Sequence, residues 1–167
     1  RELLEYAYSH GVNYFDTAYS YNGGQSEPAV GEIMKQFPRE SWYLASKMPG
    51  HEINPNLNPP AIFEEQLRRC QTDYFDFYLL HNVCELTLPV YDSQKLRIID
   101  YLLEQKEKGR IRHLGFSTHA GVDTLREFLD RHEGLFEFVQ IQLNYLDWTL
   151  QDAKAKVELL KQYHIPV

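Results

Sequence analysis

The sequence predicts an α/β fold, a (β/α)8 barrel of the TIM type present in part. Three observations lead there. A strand-like run follows each helical stretch, each run closes on a polar residue, and those residues recur at the interval of one βα unit. The closing residues are Asp16, Lys47, His81, Ser117 and Asn144, spaced by 31, 34, 36 and 27 residues. Such spacing suits a barrel of roughly 250 residues whose active site gathers at the C-terminal ends of its strands. By that count the 167 residues hold five units and the edge of a sixth strand. The expectation is a single segment, 1–167, of one barrel domain, cut at both ends. A doubly wound open sheet is the competing plan, but no Gly-rich fingerprint follows the first strand.

The elements justify themselves in order. Leu3, Leu4, Ala7 and Tyr8 repeat at helical spacing, so the chain opens inside an amphipathic helix. Strand-like runs cover Asn13 to Ala18, Trp42 to Lys47, Phe75 to His81, Ile111 to Ser117 and Phe138 to Tyr145. Between the first two, Ser26 stands as an N-cap before a helix with Val30, Ile33 and Met34 on one face. Gly23 and Gly24 before it read as a turn. The next helix covers Ala61 to Cys70, with Ile62, Phe63 and Leu67 inward. Leu96, Ile99, Leu102 and Leu103 mark a third, stopped by Gly109. A fourth carries Val122, Leu125, Phe128 and Leu129, and a fifth Val157, Leu159 and Leu160. Two longer loops, His51 to Pro60 and Asn82 to Gln94, would lie at the barrel mouth, where loops set specificity.

Composition narrows the function classes. Hydrophobic residues make up 43% and charged residues 25%, which excludes a collagen-like, low-complexity or largely disordered chain. The net charge of -7 argues against nucleic acid as a partner, because phosphate recognition needs clustered Lys and Arg. No apolar run approaches the roughly 20 residues of a bilayer span, so no membrane role is expected. The two cysteines, Cys70 and Cys84, form no CxxC pair and give neither a disulfide framework nor a zinc ribbon. A reduced, cytoplasmic setting follows as the expectation. The seven histidines show no compact ligand spacing, so no metal is expected.

One barrel mouth would collect Asp16, Tyr21, Lys47 and His81. A phenol with a pKa of about 10 is a reluctant proton donor near neutrality. An ammonium beside it stabilises the phenolate, and a carboxylate holds the ammonium charged. An imidazole can orient or polarise a carbonyl oxygen. Together these groups suit proton delivery to an oxygen that gains negative charge during reduction.

At this point the residues resemble a known family. Gly11-Val12-Asn13-Tyr14-Phe15-Asp16-Thr17-Ala18-Tyr19-Ser20-Tyr21, followed by Ser26-Glu27, resembles the aldo-keto reductase signature. Ala45-Ser46-Lys47, the run Thr72 to His81 and the run Gly109 to Ser117 are similar to its next three strands, in order. The run Val139 to Tyr145 is similar to the sixth. Ser117-Thr118-His119 and Asn144-Tyr145-Leu146-Asp147-Trp148 look most like bacterial members that can carry a ferredoxin-like iron–sulfur extension.

The resemblance implies an oxidoreductase that passes hydride from NADPH, or less often NADH, to the carbonyl carbon of a small aldehyde or ketone. It makes Tyr21 the general acid, tuned by Lys47 and Asp16, with His81 orienting substrate. It assigns the nicotinamide carboxamide to Ser117 and Gln140, with Asn144 as a further candidate. Gln140, Gln142 and Asn144 alternate and so would share one strand face. Two departures stand out: Thr118 where many members have Asn, and Pro49 where many have Trp. The family's loops for the cofactor pyrophosphate belong to final strands beyond this segment. A cofactor-binding regulatory subunit without turnover, or an iron–sulfur-coupled oxidoreductase, are the alternatives.

Overall fold

The computed structural model describes residues 1–167. Five parallel strands form one sheet in the order of the chain: β1 (Tyr14–Asp16), β2 (Tyr43–Met48), β3 (Phe75–Val83), β4 (Ile111–Thr118) and β5 (Phe138–Ile141). That sequential order is the barrel's and not the doubly wound sheet's, whose order reverses at a switch point. The sheet curls as half of a (β/α)8 barrel.

Helices alternate with the strands: α1 (Glu2–Ser9), the short α2 (Tyr21–Gly24), α3 (Ser26–Met34), α4 (Pro59–Cys70), the short α5 (Leu88–Tyr91), α6 (Ile98–Glu107), α7 (Val122–Arg131), the short α8 (Asp147–Leu150) and α9 (Ala153–Gln162). The core forms where their apolar stripes meet one face of the sheet. Leu44, Met48, Tyr78, Leu80, Leu114, Phe116 and Val139 are buried there against Met34, Phe63, Leu67, Leu102, Leu125 and Phe128. The opposite face carries an aromatic layer, with Phe77 packed against Tyr14, Tyr43, His113 and Phe138 at ring-centroid distances of 5.1–6.1 Å.

Four local expectations are corrected. Ser26 does not cap α3; its hydroxyl accepts from Thr17 Oγ1 at 2.8 Å, and the flanking Gln25 makes no side-chain cap. α4 begins at Pro59, because Asn58 caps it by accepting from the Ala61 amide at 3.2 Å. Proline fits the first helical turn, where its missing N–H would have no partner anyway. β3 runs on to Val83 through a register shift after Leu80, and the loop beyond it holds the short α5. β5 stops at Ile141, well before Tyr145. The Asn144 side-chain oxygen accepts from the Leu146 and Asp147 amides, both at 2.9 Å, so a local turn competes with the sheet ladder.

The end of the sheet opposite the predicted site is locked by charge. Asp76 is 1% exposed and accepts from Arg39 at 2.6 Å, from Arg112 at 2.7 Å and from the Leu44 amide at 2.9 Å. Arg39 is sandwiched between the rings of Trp42 and Tyr74. One carboxylate thus ties β2, β3 and β4 together. Truncating it removes the one carboxylate that both guanidinium groups share and takes the acceptor from the Leu44 amide. Asp76→Ala is expected to lose about 2–4 kcal/mol of stability in urea unfolding. A loss under about 0.5 kcal/mol, the range of an ordinary surface change, would contradict the lock.

Candidate active site

Strand periodicity assembles the site. Side chains alternate between sheet faces, and residues in register on neighbouring parallel strands share a face. Asp16 is in register with Ala45, two residues before Lys47; Lys47 is in register with Leu79, two before His81. Leu79 is in register with Gly115, two before Ser117, and Ser117 with Gln140. Asp16, Lys47, His81, Ser117 and Gln140 therefore project from one face, at one end of the sheet.

Lys47 is the buried centre, its side chain 1% exposed. Its Nζ donates to Asp16 Oδ1 at 2.6 Å and to the Thr17 carbonyl at 2.9 Å. Tyr21, on α2, lies over this pair with its ring centroid 4.8 Å from Lys47 Nζ. Asn22 and Gly23 adopt left-handed backbone angles (φ 52° and 61°) that reverse the chain directly after Tyr21. The His81 ring stands edge-on to Tyr21 with centroids 5.6 Å apart. The sequence signature thus brings its four residues together.

The electrostatics of the two basic groups differ. Lys47 is buried with its counter-ion. His81 has none: burial, with like charge from His51, Lys47 and His119, pulls its pKa down to about 3. It is a neutral imidazole at physiological pH. His51 packs against it with ring centroids 4.1 Å apart, and burial lowers its pKa as well. Sequence reasoning missed His51 because it follows Pro49-Gly50 in a stretch with no periodic signal.

A cavity of about 260 Å³ runs from Tyr21, Lys47 and His81 to Ser117, Gln140 and Gln142. The Ser117 hydroxyl accepts from the Asn82 amide at 2.8 Å. Gln140 is exposed, and its amide nitrogen lies 3.5 Å from Asp16 Oδ2. A hydroxyl and an amide side by side in register fit a carboxamide, which needs both a donor and an acceptor. Thr118 is buried on the opposite parity and spends its hydroxyl on the Val83 carbonyl at 2.7 Å. Asn144 does not line this cavity. It borders a separate hollow with Leu143, Tyr145 and Trp148, and its amide donates to Asp147 Oδ2 at 2.6 Å.

Behind the site lies a buried polar network. Glu27 Oε1 accepts from Ser46 Oγ and Gln66 Nε2, both at 2.6 Å. Gln66 Nε2 also reaches the Lys47 carbonyl at 3.0 Å, while Gln66 Oε1 accepts from the Tyr78 hydroxyl. The Lys47 backbone is therefore held from the helix side. A signal was present: Phe63, Gln66, Leu67 and Cys70 fall at core spacing on α4, with one polar residue among them.

Polar residues gathered at the C-terminal edge of a sequential parallel sheet, with helices on the far face, follow the site plan of barrel enzymes. The model of the aldo/keto reductase family matches residues 1–167, and the chain belongs to that family. It is 30% identical to the NADH-specific methylglyoxal reductase of Escherichia coli, over 90% of this chain and 49% of the relative. It is 27% identical to the probable aldo-keto reductase 1 of Glycine max, over 99% of this chain and 47% of that protein. The chain thus spans about half the length of these curated relatives. Among solved structures, the thermostable aldo-keto reductase Tm1743 superposes with a TM-score of 0.77 at 26% identity, over 98% of this chain and 57% of that one. An aldo-keto reductase from Klebsiella pneumoniae in complex with NADPH superposes with a TM-score of 0.74 at 25% identity, over 98% and 54%.

Burial, despite its hydrogen bonds, raises the Glu27 pKa above the ordinary 4.5. The unfolded chain therefore releases this proton first. Stability is fully present below the unfolded value and falls as the pH rises through the window up to the raised folded value. Glu27→Gln keeps the acceptor oxygen and removes the ionisation. Urea unfolding at a series of pH values should show the variant gaining on the wild type as the pH rises through that window. A difference independent of pH would contradict the assignment.

Proposed function

We propose that this chain carries the proton-delivering half of a carbonyl reductase that uses NADPH, with NADH as the alternative nucleotide. One observation carries the reading: the Lys47 ammonium, fixed by Asp16 and the Thr17 carbonyl, lies beneath the Tyr21 ring with a neutral His81 at its edge. Tyr21 is the general acid and gives its proton to the carbonyl oxygen of a small aldehyde or ketone. The Lys47 ammonium stabilises the phenolate left behind, and Asp16 holds that ammonium in place. His81, uncharged, orients the carbonyl by hydrogen bonding without repelling Lys47.

The bound nicotinamide nucleotide would supply the hydride. Ser117 and Gln140 would hold its carboxamide. Asn144 joins them only by releasing Asp147, so Ser117 and Gln140 are the first residues to substitute. A compact, oxygen-rich substrate suits a cavity lined by imidazoles, amides and hydroxyls, and the resemblance to a methylglyoxal reductase supports that class. The intact set of Asp16, Lys47, Tyr21 and His81 favours turnover over a purely cofactor-binding role.

The test is NADPH and NADH oxidation by the full-length protein with methylglyoxal, aryl aldehydes and quinones, wild type beside Tyr21→Phe. Loss of the general acid should lower kcat by about 100-fold or more, with nucleotide affinity kept. A folded wild type inert towards every carbonyl, or a Tyr21→Phe variant with full turnover, would overturn the reading.

A further inference from the structure

The long loop after β3 returns one residue to the centre of the molecule. Tyr91, the last residue of α5, is 2% exposed, and its hydroxyl donates to the His81 carbonyl at 2.6 Å. The same hydroxyl lies 3.3 Å from the Met48 carbonyl, one residue after Lys47. The Tyr91 ring fills the space over Gly50, where an added Cβ would sit 2.5–2.8 Å from three of its atoms. That contact explains the glycine beside His51 better than any turn requirement does.

His81 needs such a hold. The β3–β4 register shifts between Leu80 and Val83, and Asn82 adopts a left-handed backbone (φ 58°). A strand that leaves its ladder no longer has its main chain fixed by sheet hydrogen bonds. On one side the Asn82 amide is taken by Ser117. On the other, the His81 carbonyl is taken by Tyr91. A buried phenol suits the task. Desolvation pushes its ionisation well above the ordinary tyrosine range, so it stays a donor at any working pH.

We infer that Tyr91 is a positioning residue: it fastens the main chain of His81 at the bulge, holds the Gly50–His51 turn against it, and so keeps the His81 imidazole packed against His51 and edge-on to Tyr21. This rests on the reductase reading only for its kinetic consequence; the hold on His81 stands without it. The groups facing His81 are Tyr21 from α2, Lys47 from β2, His51 from the turn after β2 and His119 from the turn after β4. None offers a negative charge. The imidazole therefore stays neutral while its surroundings stay closed, and it should gain a proton more readily once they open to water.

The decisive experiment is Tyr91→Phe in the full-length protein, which removes one oxygen and keeps the ring. Two readouts are taken. NMR titration of isotopically labelled histidines should show the His81 pKa rising from about 3 towards the ordinary 6.5. The kcat/KM for the carbonyl substrate should fall about tenfold, the scale of one lost hydrogen bond, while the KM for the nucleotide stays put. Gly50→Ala, which pushes the same ring off its seat, should reproduce both changes if Tyr91→Phe proves too unstable to study. Phe128→Leu, which weakens the core between the helices and the sheet, should lower stability and move neither. An unchanged His81 titration in a folded variant would overturn the inference. A wild type without turnover would sink the reductase reading alone and leave the titration as the test.

Discussion

The constraint on which the molecule depends is the register of its parallel strands. Neighbouring residues on a strand serve opposite faces, and β2 shows the consequence at one step. Ser46 turns to the helices and donates to Glu27, while Lys47 turns to the cavity and binds Asp16. Slipping β2 by one residue would bury an ammonium against α3 and α4 and leave a serine facing Tyr21. The site is therefore a property of pairing first and of side-chain chemistry second. Asp16, Lys47, Ser117 and Gln140 meet because the pairings keep the same parity up to Leu80, and His81 joins them at the register shift just beyond it.

Buried polar groups enforce that register from the helix side. Asp76 locks three strands at the far end of the sheet, and Gln66 holds the Lys47 carbonyl midway. Tyr91 takes the His81 carbonyl at the site end. Hydrophobic burial drives the sheet and helices together but is indifferent to small shifts along a strand. A buried carboxylate or amide is not, because each shift strands it without a partner. The apolar core of the molecule supplies cohesion, and these few polar atoms select one pairing.

That division explains which features are legible in the sequence. Alternation and helical spacing expose strands, helices and strand-end residues, so Asp16, Lys47, His81 and Ser117 stand out from the sequence alone. Tyr21 stands out through its place in a contiguous motif. The extent of the last strand is misread because alternation continues past Ile141 in the sequence, whereas the chain spends Asn144 on a turn. Gln66 and Tyr91 are harder, since both act on main-chain carbonyls. Every residue has a carbonyl, so the partner leaves no mark on the sequence. His51 is the opposite case, a visible residue whose neighbour His81 is distant in sequence and adjacent only in the fold.

The two basic groups of the site are buried with different partners. Lys47 enters a nearly water-free position with a carboxylate at 2.6 Å and a carbonyl at 2.9 Å as acceptors for its amine. His81 enters with no anion among its neighbours, and its charge is given up. Two cations side by side would repel each other and would compete for one carboxylate. One cation and one neutral donor do not. Tyr21 touches both, with the Lys47 amine over its ring face and the neutral His81 imidazole at its edge. The asymmetry comes from where Asp16 ends its strand: in register with Ala45, it is within reach of Lys47 and not of His81.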